Sequence, residues 1–204
     1  MRFSLALSLS TLLLAGCVPD TRGTAQEIDG TQQETISAPQ ETLIFLVRHA
    51  ERADDAPGDP AMTMDPDMAK DPPLSEAGRA RAFLLAQMLK DAGITQIHST
   101  DFRRTRETAQ PTAEGTELGV ASYDASDLVG FAAKLRSTPG RHLVVGHSNT
   151  TPNLVEALGG DPGPSIEPLE YDRLYLVTVD GDRVRTVLLR FGEPFPKSGP
   201  TEPS

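Results

Sequence analysis

Residues 42–50 read TLIFLVRHA, an apolar run that ends in an arginine and a histidine. A run of this kind, without alternation of polar and apolar residues, is typical of a β-strand that is buried on both faces. Such strands occur in sheets that helices cover on both sides. This stretch therefore predicts a strand near the centre of an α/β domain.

Strands and helices alternate along the rest of the chain. Further strands are predicted at residues 95–99, before Tyr123 and at residues 142–146. Amphipathic helices are predicted at residues 75–93, 103–119, 128–135 and 152–158. Residues 174–179 and 184–191 alternate around Asp180-Gly181-Asp182, which is typical of a hairpin. The pattern predicts a three-layer α/β/α sandwich whose mostly parallel central sheet ends in an antiparallel hairpin.

Polar segments follow three of the predicted strands, at residues 48–50, 99–104 and 146–149. Ligands of open α/β sheets bind at the carboxyl ends of the strands, so we expect two histidines and at least two arginines to converge there. The chain has 204 residues and a formal net charge of −10. A cationic group in an acidic protein indicates an anionic ligand, because guanidinium groups match phosphate oxygens.

Composition excludes several other classes. The acidic balance argues against a nucleic-acid partner, because the protein would repel a phosphate backbone. The single cysteine, Cys17, excludes a disulfide framework and a cysteine-based zinc cluster.

Three motifs, FLVRHAE, STDFRRTRETA and VVGHS, follow one another along the chain, and DPPLSEAGRARA precedes the first predicted helix. In this order they resemble the motifs of the histidine phosphatase superfamily, also called the phosphoglycerate mutase-like family, and the usual lead-in to its first helix. The resemblance spans about residues 42–160. It implies that His49 is the nucleophile and forms a phosphohistidine. It also implies that the phosphoryl oxygens are bound by Arg48, Arg104, His147 and Ser148, without a metal or another cofactor.

The chain departs from the family pattern at two points. Ala50 replaces the usual glycine, which would be strained if the position required a positive φ. No distinctive motif marks the acid that protonates the leaving group; we predict Asp124, with Asp127 and Glu51 as alternatives and a turn-capping role as the competing interpretation. For His147 we expect a protonated ring, because a cation offsets phosphate charge.

The remaining polar residues favour structural roles. Residues 52–73, rich in aspartate and proline, predict a solvated, lid-like loop. We expect His98 to be a packed wall residue, His142 to face solvent, and Asp172 with Arg173 to form an ion pair.

The first 16 residues, with Arg2 ahead of a short apolar run, predict a secretory signal peptide. Leu14-Ala15-Gly16-Cys17 also resembles the lipobox of bacterial lipoproteins, which implies that Cys17 is lipidated; an ordinary signal peptide with an incidental cysteine is the alternative. We predict a flexible tether at residues 17–41, a catalytic domain at 42–192 and a disordered tail at 193–204. The protein would then be extracytoplasmic, on the periplasmic face of a bacterial membrane.

The sequence therefore favours a membrane-anchored phosphatase that hydrolyses a small phosphate monoester or anhydride. A mutase is disfavoured, because it needs a phosphorylated activator that is not expected outside the cytoplasm. The alternative from another class is a catalytically idle lipoprotein that binds phosphorylated envelope components. The substrate and the oligomeric state stay open.

Overall fold

The computed structural model describes residues 41–55 and 71–195. This part of the chain forms six strands and four α-helices. The strands are β1 (Thr42–Arg48), β2 (Gln96–Ser99), β3 (Val120–Ser122), β4 (Gly140–Gly146), β5 (Arg173–Asp180) and β6 (Arg183–Arg190). The helices are α1 (Glu76–Leu89), α2 (Arg103–Thr116), α3 (Leu128–Ser137) and α4 (Thr150–Ala157), and a 3-10 turn spans Ala53–Asp55.

The strands form one sheet in the order β3-β2-β4-β1-β5-β6. The pairs β1–β4, β2–β4 and β2–β3 are parallel, whereas β5 is antiparallel to both β1 and β6. In β1–β4 the register places Arg48 beside Gly146, so the residues that follow these two strands emerge side by side. The fold predicted from the sequence is therefore confirmed, including the antiparallel hairpin.

The two faces of β1 explain why its sequence is apolar throughout. Ile44 and Leu46 belong to one buried cluster, which also contains residues of α3 and α4. Phe45 and Val47 belong to a second cluster on the opposite face, together with residues of α1 and α2. Because both faces are covered by helices, a polar residue within this strand would lose its hydration without a partner.

Local signals account for the helix ends. Ser75 caps α1 by accepting a hydrogen bond from the Gly78 amide at 3.0 Å, and Asp127 caps α3 in the same way through Gly130. Phe102 precedes α2 and offers no side-chain cap.

Several predictions lie wholly or partly outside the described residues. The signal peptide, Cys17 and nearly all of the tether are among them, as are residues 56–70 of the acidic loop and residues 196–204 of the tail. Among the described helices, none has both the length and the apolar composition that a membrane crossing requires.

Candidate active site

The carboxyl ends of β1, β2 and β4 bring the predicted site residues together. The backbone amide of His49 donates to the carbonyl of Gly146 at 2.9 Å, which extends the β1–β4 pairing past the end of the strand. The next residue on the β4 side is His147, and the two imidazole rings lie 5.5 Å apart between centroids, edge to face. The two predicted histidines therefore share one pocket.

His49 is fixed in a single neutral tautomer. Its Nδ1 lies 2.8 Å from the carbonyl oxygen of Ala50, and a carbonyl only accepts, so Nδ1 carries the proton. Nε2 then keeps its lone pair and is the ring atom that is available as a nucleophile. Burial lowers the pKa of His49 to about 2, and the charges of Arg48 and Arg104 act in the same direction. The ring is therefore neutral at physiological pH.

The loop after His49 is anchored to α2. The Ala50 amide donates to Thr108 Oγ1 at 3.0 Å, and this hydroxyl donates to the carbonyl of Arg104 at 2.7 Å. Ala50 is buried against Leu74 and Ala82, and it is not among the described residues with a positive φ. Alanine therefore fits this position without backbone strain.

Arg48 lies at the base of the pocket. Its Nη1 donates to the carbonyls of Glu167 and Glu170, both at 3.0 Å, and its guanidinium stacks on the Tyr171 ring at 4.1 Å. Its Nε is buried and has no hydrogen-bond acceptor among the described residues. The guanidinium is thus held in one orientation and still has a hydrogen-bond donor available.

Arg104 enters from the first turn of α2. Its guanidinium lies 4.3 Å from the centroid of the Phe102 ring, and its Nη1 forms an ion pair with Asp71 at 3.2 Å. Its Nη2 lies 3.5 Å from Nδ1 of His147. The buried Nε of Arg104 also finds no acceptor in the described part of the chain. Two arginines with unused buried donors favour an anionic ligand between them.

The protein groups of the site by themselves keep His147 neutral. Its Nε2 lies 3.0 Å from Thr100 Oγ1, while Nδ1 faces the guanidinium of Arg104, which only donates. Burial lowers the pKa of His147 to about 4, and Arg104 and Arg48 lower it further by charge repulsion. The expectation of a protonated ring applies to the site with phosphate bound and stays a prediction.

The candidate acids lie in ordinary structural positions. Asp124 is exposed, and its carboxylate accepts from the Ser126 amide at 2.8 Å and from the Ser126 hydroxyl at 2.7 Å. These hydrogen bonds hold the pKa of Asp124 below its usual value, which does not favour proton donation. Asp127 caps α3, and Glu51 accepts from Arg81 through both carboxylate oxygens, at 2.9 and 3.0 Å. Ser148 is half-buried in the turn between β4 and α4.

Four residues near the site were not found by sequence reasoning. Tyr171 packs 5.9 Å from the His49 ring and donates to Asp55, and Phe102 meets His147 edge-on at 5.0 Å. Asp71 reaches Arg104 from the acidic loop. Tyr171 lies 122 residues from His49, and Asp55 lies in a loop without periodicity, so no local sequence pattern connects either residue with the site. Phe102 is part of the second motif, and it is the one residue of the four that the sequence could have indicated.

The histidines and charged residues for which we expected structural roles agree only in part with those expectations. His98 is buried against Phe131, as predicted for a wall residue. His142 is completely buried instead of solvent-facing, because its Nε2 donates to the Thr138 carbonyl at 2.9 Å and its Nδ1 pairs with His98 at 3.3 Å. Asp172 and Arg173 do not pair with each other: Arg173 binds Glu170, and Asp172 binds Arg190.

The acidic loop is not purely solvated in its described parts. Asp55 accepts from Arg52 and Tyr171, and Asp71 contacts α2 as well as Arg104. The prediction of a solvated loop was therefore wrong at both of its ends, because guanidinium and backbone N–H groups there bind carboxylates.

The fold and these residues define a class of protein: an α/β domain with two arginines and two histidines around one pocket at the carboxyl ends of its parallel strands. Residues 44–125 match the family model described as histidine phosphatase superfamily (branch 1). Over these residues the domain is similar to the histidine phosphatase superfamily, as the sequence motifs suggested.

Individual relatives show the same similarity. A protein assigned as phosphoglycerate mutase GpmB of Yersinia enterocolitica is 34% identical over 79 residues, which are 39% of this chain and 34% of that relative. The chain thus matches about a third of the length of this curated relative.

Among solved structures, one assigned as the phosphohistidine phosphatase SixA of Agrobacterium tumefaciens is 26% identical with a TM-score of 0.54, covering 74% of this chain and 99% of its own. An α-ribazole-5'-P phosphatase structure from Escherichia coli K-12, at 13% identity and a TM-score of 0.57, shares the fold over 74% of this chain and 96% of its own.

Proposed function

We propose that this domain is a histidine-dependent phosphatase that removes a phosphoryl group from a phosphate monoester or anhydride. The observation that carries the proposal is the Nδ1 hydrogen bond of His49 to its neighbouring carbonyl at 2.8 Å. It leaves the Nε2 lone pair at the centre of a cationic pocket. A neutral imidazole held in this way is a preorganised nucleophile.

The residues support a two-step reaction. In the first step Nε2 of His49 attacks phosphorus in line, so that an N–P bond forms while the bond to the leaving group breaks and its electron pair departs with that group. Arg48 and Arg104 neutralise the charge on the equatorial oxygens during this transfer. In the second step a water attacks the phosphohistidine, and inorganic phosphate leaves with restoration of the neutral ring.

His147 gains a proton when phosphate binds. A phosphoryl oxygen near Nδ1 accepts from a protonated ring, and the dianion offsets the repulsion from the arginines that lowers the pKa of this histidine in the ligand-free site. His147 therefore acts as a ligand-induced cation.

Neither of two candidate acids is free to protonate the leaving group. The carboxylate of Asp124 caps a turn and that of Glu51 is engaged by Arg81. This arrangement favours substrates whose leaving groups are stable without protonation, such as anhydrides and aryl esters. Asp124 stays a prediction: if it is the acid, Asp124→Asn slows an alkyl phosphate far more than it slows p-nitrophenyl phosphate.

The decisive experiment is rapid-quench mass spectrometry with a panel of p-nitrophenyl phosphate, an alkyl monoester, pyrophosphate and phosphohistidine. The panel includes phosphohistidine because the similar Agrobacterium structure is assigned as a phosphohistidine phosphatase. We expect an alkali-stable, acid-labile phosphate on His49 and none in His49→Gln. Turnover without this adduct would indicate direct attack by water. Phosphate binding without turnover of any compound would favour the idle binding lipoprotein instead.

We further propose that Cys17 carries a lipid anchor and that the domain works outside the cytoplasm. The support is the order Leu14-Ala15-Gly16-Cys17 after a short apolar run, together with the absence of any other cysteine from the sequence. Expression of the full chain in a bacterium, with detergent partitioning and mass spectrometry of the amino terminus, tests this. Release of Cys17→Ser to the soluble fraction is expected, and unchanged partitioning would contradict the proposal.

A further inference from the structure

A network of charged side chains lies behind Arg48, on the segment that leads into β5. Glu170, Asp172 and Arg173 of this network are buried, whereas Arg190 is 41% exposed. Glu170 is 3% exposed, and its carboxylate accepts from Nε and Nη2 of Arg173 at 2.6 and 2.8 Å. Arg190 of β6 donates to the same carboxylate at 2.5 Å and to Asp172 at 2.5 Å. Removing such charges from water costs several kcal/mol per ion, so a buried ion pair is weak evidence for stability by itself. The presence of this network therefore calls for an explanation other than stability.

The network fixes the backbone of the segment. Arg173 also donates to the carbonyls of Pro164 and Ser165, at 2.5 and 2.8 Å. The second carboxylate oxygen of Glu170 accepts from the Glu167 amide at 2.9 Å. These contacts tie residues 164–170 to β5 at several points, so the segment has little freedom to shift its carbonyl groups.

Two of those carbonyl groups hold the phosphate-binding arginine. The carbonyls of Glu167 and Glu170 both accept from Nη1 of Arg48 at 3.0 Å, and the next residue, Tyr171, supports the face of its guanidinium. With Nη1 committed to the segment, the plane of the guanidinium is fixed and the donors on its other nitrogens have a set direction. A charged donor aimed in advance at a developing negative charge needs no reorganisation when the reaction occurs.

We propose that Glu170 and Arg173 are positioning residues for Arg48: they hold the carbonyls that aim its guanidinium at the phosphoryl group. This inference rests on the proposed function, because it takes a phosphoryl group as the ligand of Arg48. The buried carboxylate of Glu170 thereby has a role in the reaction, although it does not touch the substrate and belongs to none of the sequence motifs. Without the network the two carbonyls move, and Arg48 loses both affinity for the phosphoryl oxygens and alignment in the transition state.

The test uses the full chain with Glu170→Gln, which keeps the shape of the side chain and removes its charge. We expect the dissociation constant of orthovanadate, measured by calorimetry, to rise and kcat/KM for p-nitrophenyl phosphate to fall by about tenfold or more, as lost positioning typically costs. Arg173→Lys is the second variant, because it keeps the charge facing Glu170 and loses the forked contacts to the segment. It decides the question if Glu170→Gln does not fold.

A double-mutant cycle with Arg48→Ala separates positioning from a general structural role. If the network acts through Arg48, Arg173→Lys weakens vanadate binding in the native background and leaves it unchanged when Arg48 is absent. Leu135→Val is the matched control: this side chain is buried on α3, whose C-terminal end leads into the start of β4, opposite the site. It lowers the melting temperature without weakening vanadate binding.

Two outcomes overturn the inference. One is a native-like affinity for vanadate in both network variants; the other is an equal loss with and without Arg48. Failure of the proposed function has a different signature, because the unsubstituted chain would then neither bind vanadate nor hydrolyse the ester.

Discussion

The carboxylate of Asp71 lies between Arg104 and the start of α2. Its Oδ1 lies 3.2 Å from Nη1 of Arg104, and its Oδ2 accepts from the Arg103 amide at 2.8 Å. A helix N-terminus and a guanidinium are the groups that also attract phosphate. Asp71 is therefore a resident anion at the edge of the site, and it caps a helix whose own N-cap, Phe102, offers no acceptor.

Asp71→Asn is expected to tighten the binding of inorganic phosphate. The substitution frees the charge of Arg104, and a half-exposed pair of this kind is worth up to ~1 kcal/mol, or about a two- to fivefold lower inhibition constant. Asp101→Asn is the matched control, because it removes the same charge next to the same helix but from a pair with Arg106, at 2.6 Å. Weaker phosphate binding in Asp71→Asn alone would mean that Asp71 orients Arg104 and does not compete with phosphate.

Phosphate binding is expected to take up protons through His147. Its pKa is lowered to about 4 in the ligand-free site, so the ring is neutral at neutral pH, and a bound dianion raises the pKa again. Affinity for the dianion therefore falls as pH rises, because the proton becomes harder to recruit. Calorimetry at mildly alkaline pH, in two buffers of different ionisation enthalpy, measures the uptake.

The comparison for that experiment is His147→Gln, which keeps a donor and cannot be charged. It is expected to bind phosphate without proton uptake and to lower kcat more than it raises KM. Equal uptake in both proteins would assign the proton to another group.

The buried pair of His98 and His142 predicts a loss of stability in mild acid. Burial, with repulsion from His142, lowers the pKa of His98 from 6.5 to about 4, and burial also lowers the pKa of His142. In the unfolded chain these rings take up protons below their ordinary pKa, so the folded state loses stability as pH falls from 6.5 towards 4. His98 alone contributes on the order of 2–3 kcal/mol to this loss.

Urea unfolding at several pH values checks this prediction. His98→Gln keeps a donor for Nδ1 of His142 and does not titrate in this range, so its free energy of unfolding is expected to vary less with pH. The slope does not vanish, since His49 and His147 also have lowered pKa values. An identical slope in both proteins would contradict the prediction.

Activity is expected to survive chelation by EDTA. The sequence contains no cluster of ligands with the spacing of a metal site, and in the proposed reaction the cationic side chains Arg48 and Arg104 serve the role that a metal has in metal-dependent phosphatases. The measurement is the rate of p-nitrophenyl phosphate hydrolysis before and after dialysis against EDTA. Complete loss with recovery on addition of a divalent ion would require a metal-dependent mechanism.

The sequence by itself determined the architecture and the centre of the site. The run at residues 42–47 is apolar on both faces of the strand, which only a sheet covered on both sides accommodates. The parallel strands then bring their carboxyl ends to one edge, so Arg48, His49, Arg104 and His147 converge for reasons that are local in the sequence.

Only the tertiary structure decided the protonation and the surroundings of that site. Burial and two neighbouring arginines make His147 neutral, and such repulsion depends on distances that residue types do not give. The contacts of Arg48 with the carbonyls of Glu167 and Glu170 span 119 and 122 residues, and the stacking on Tyr171 spans 123. A backbone carbonyl is present in every residue, so no sequence pattern distinguishes the two that hold Arg48; the folding of the segment before β5 selects them.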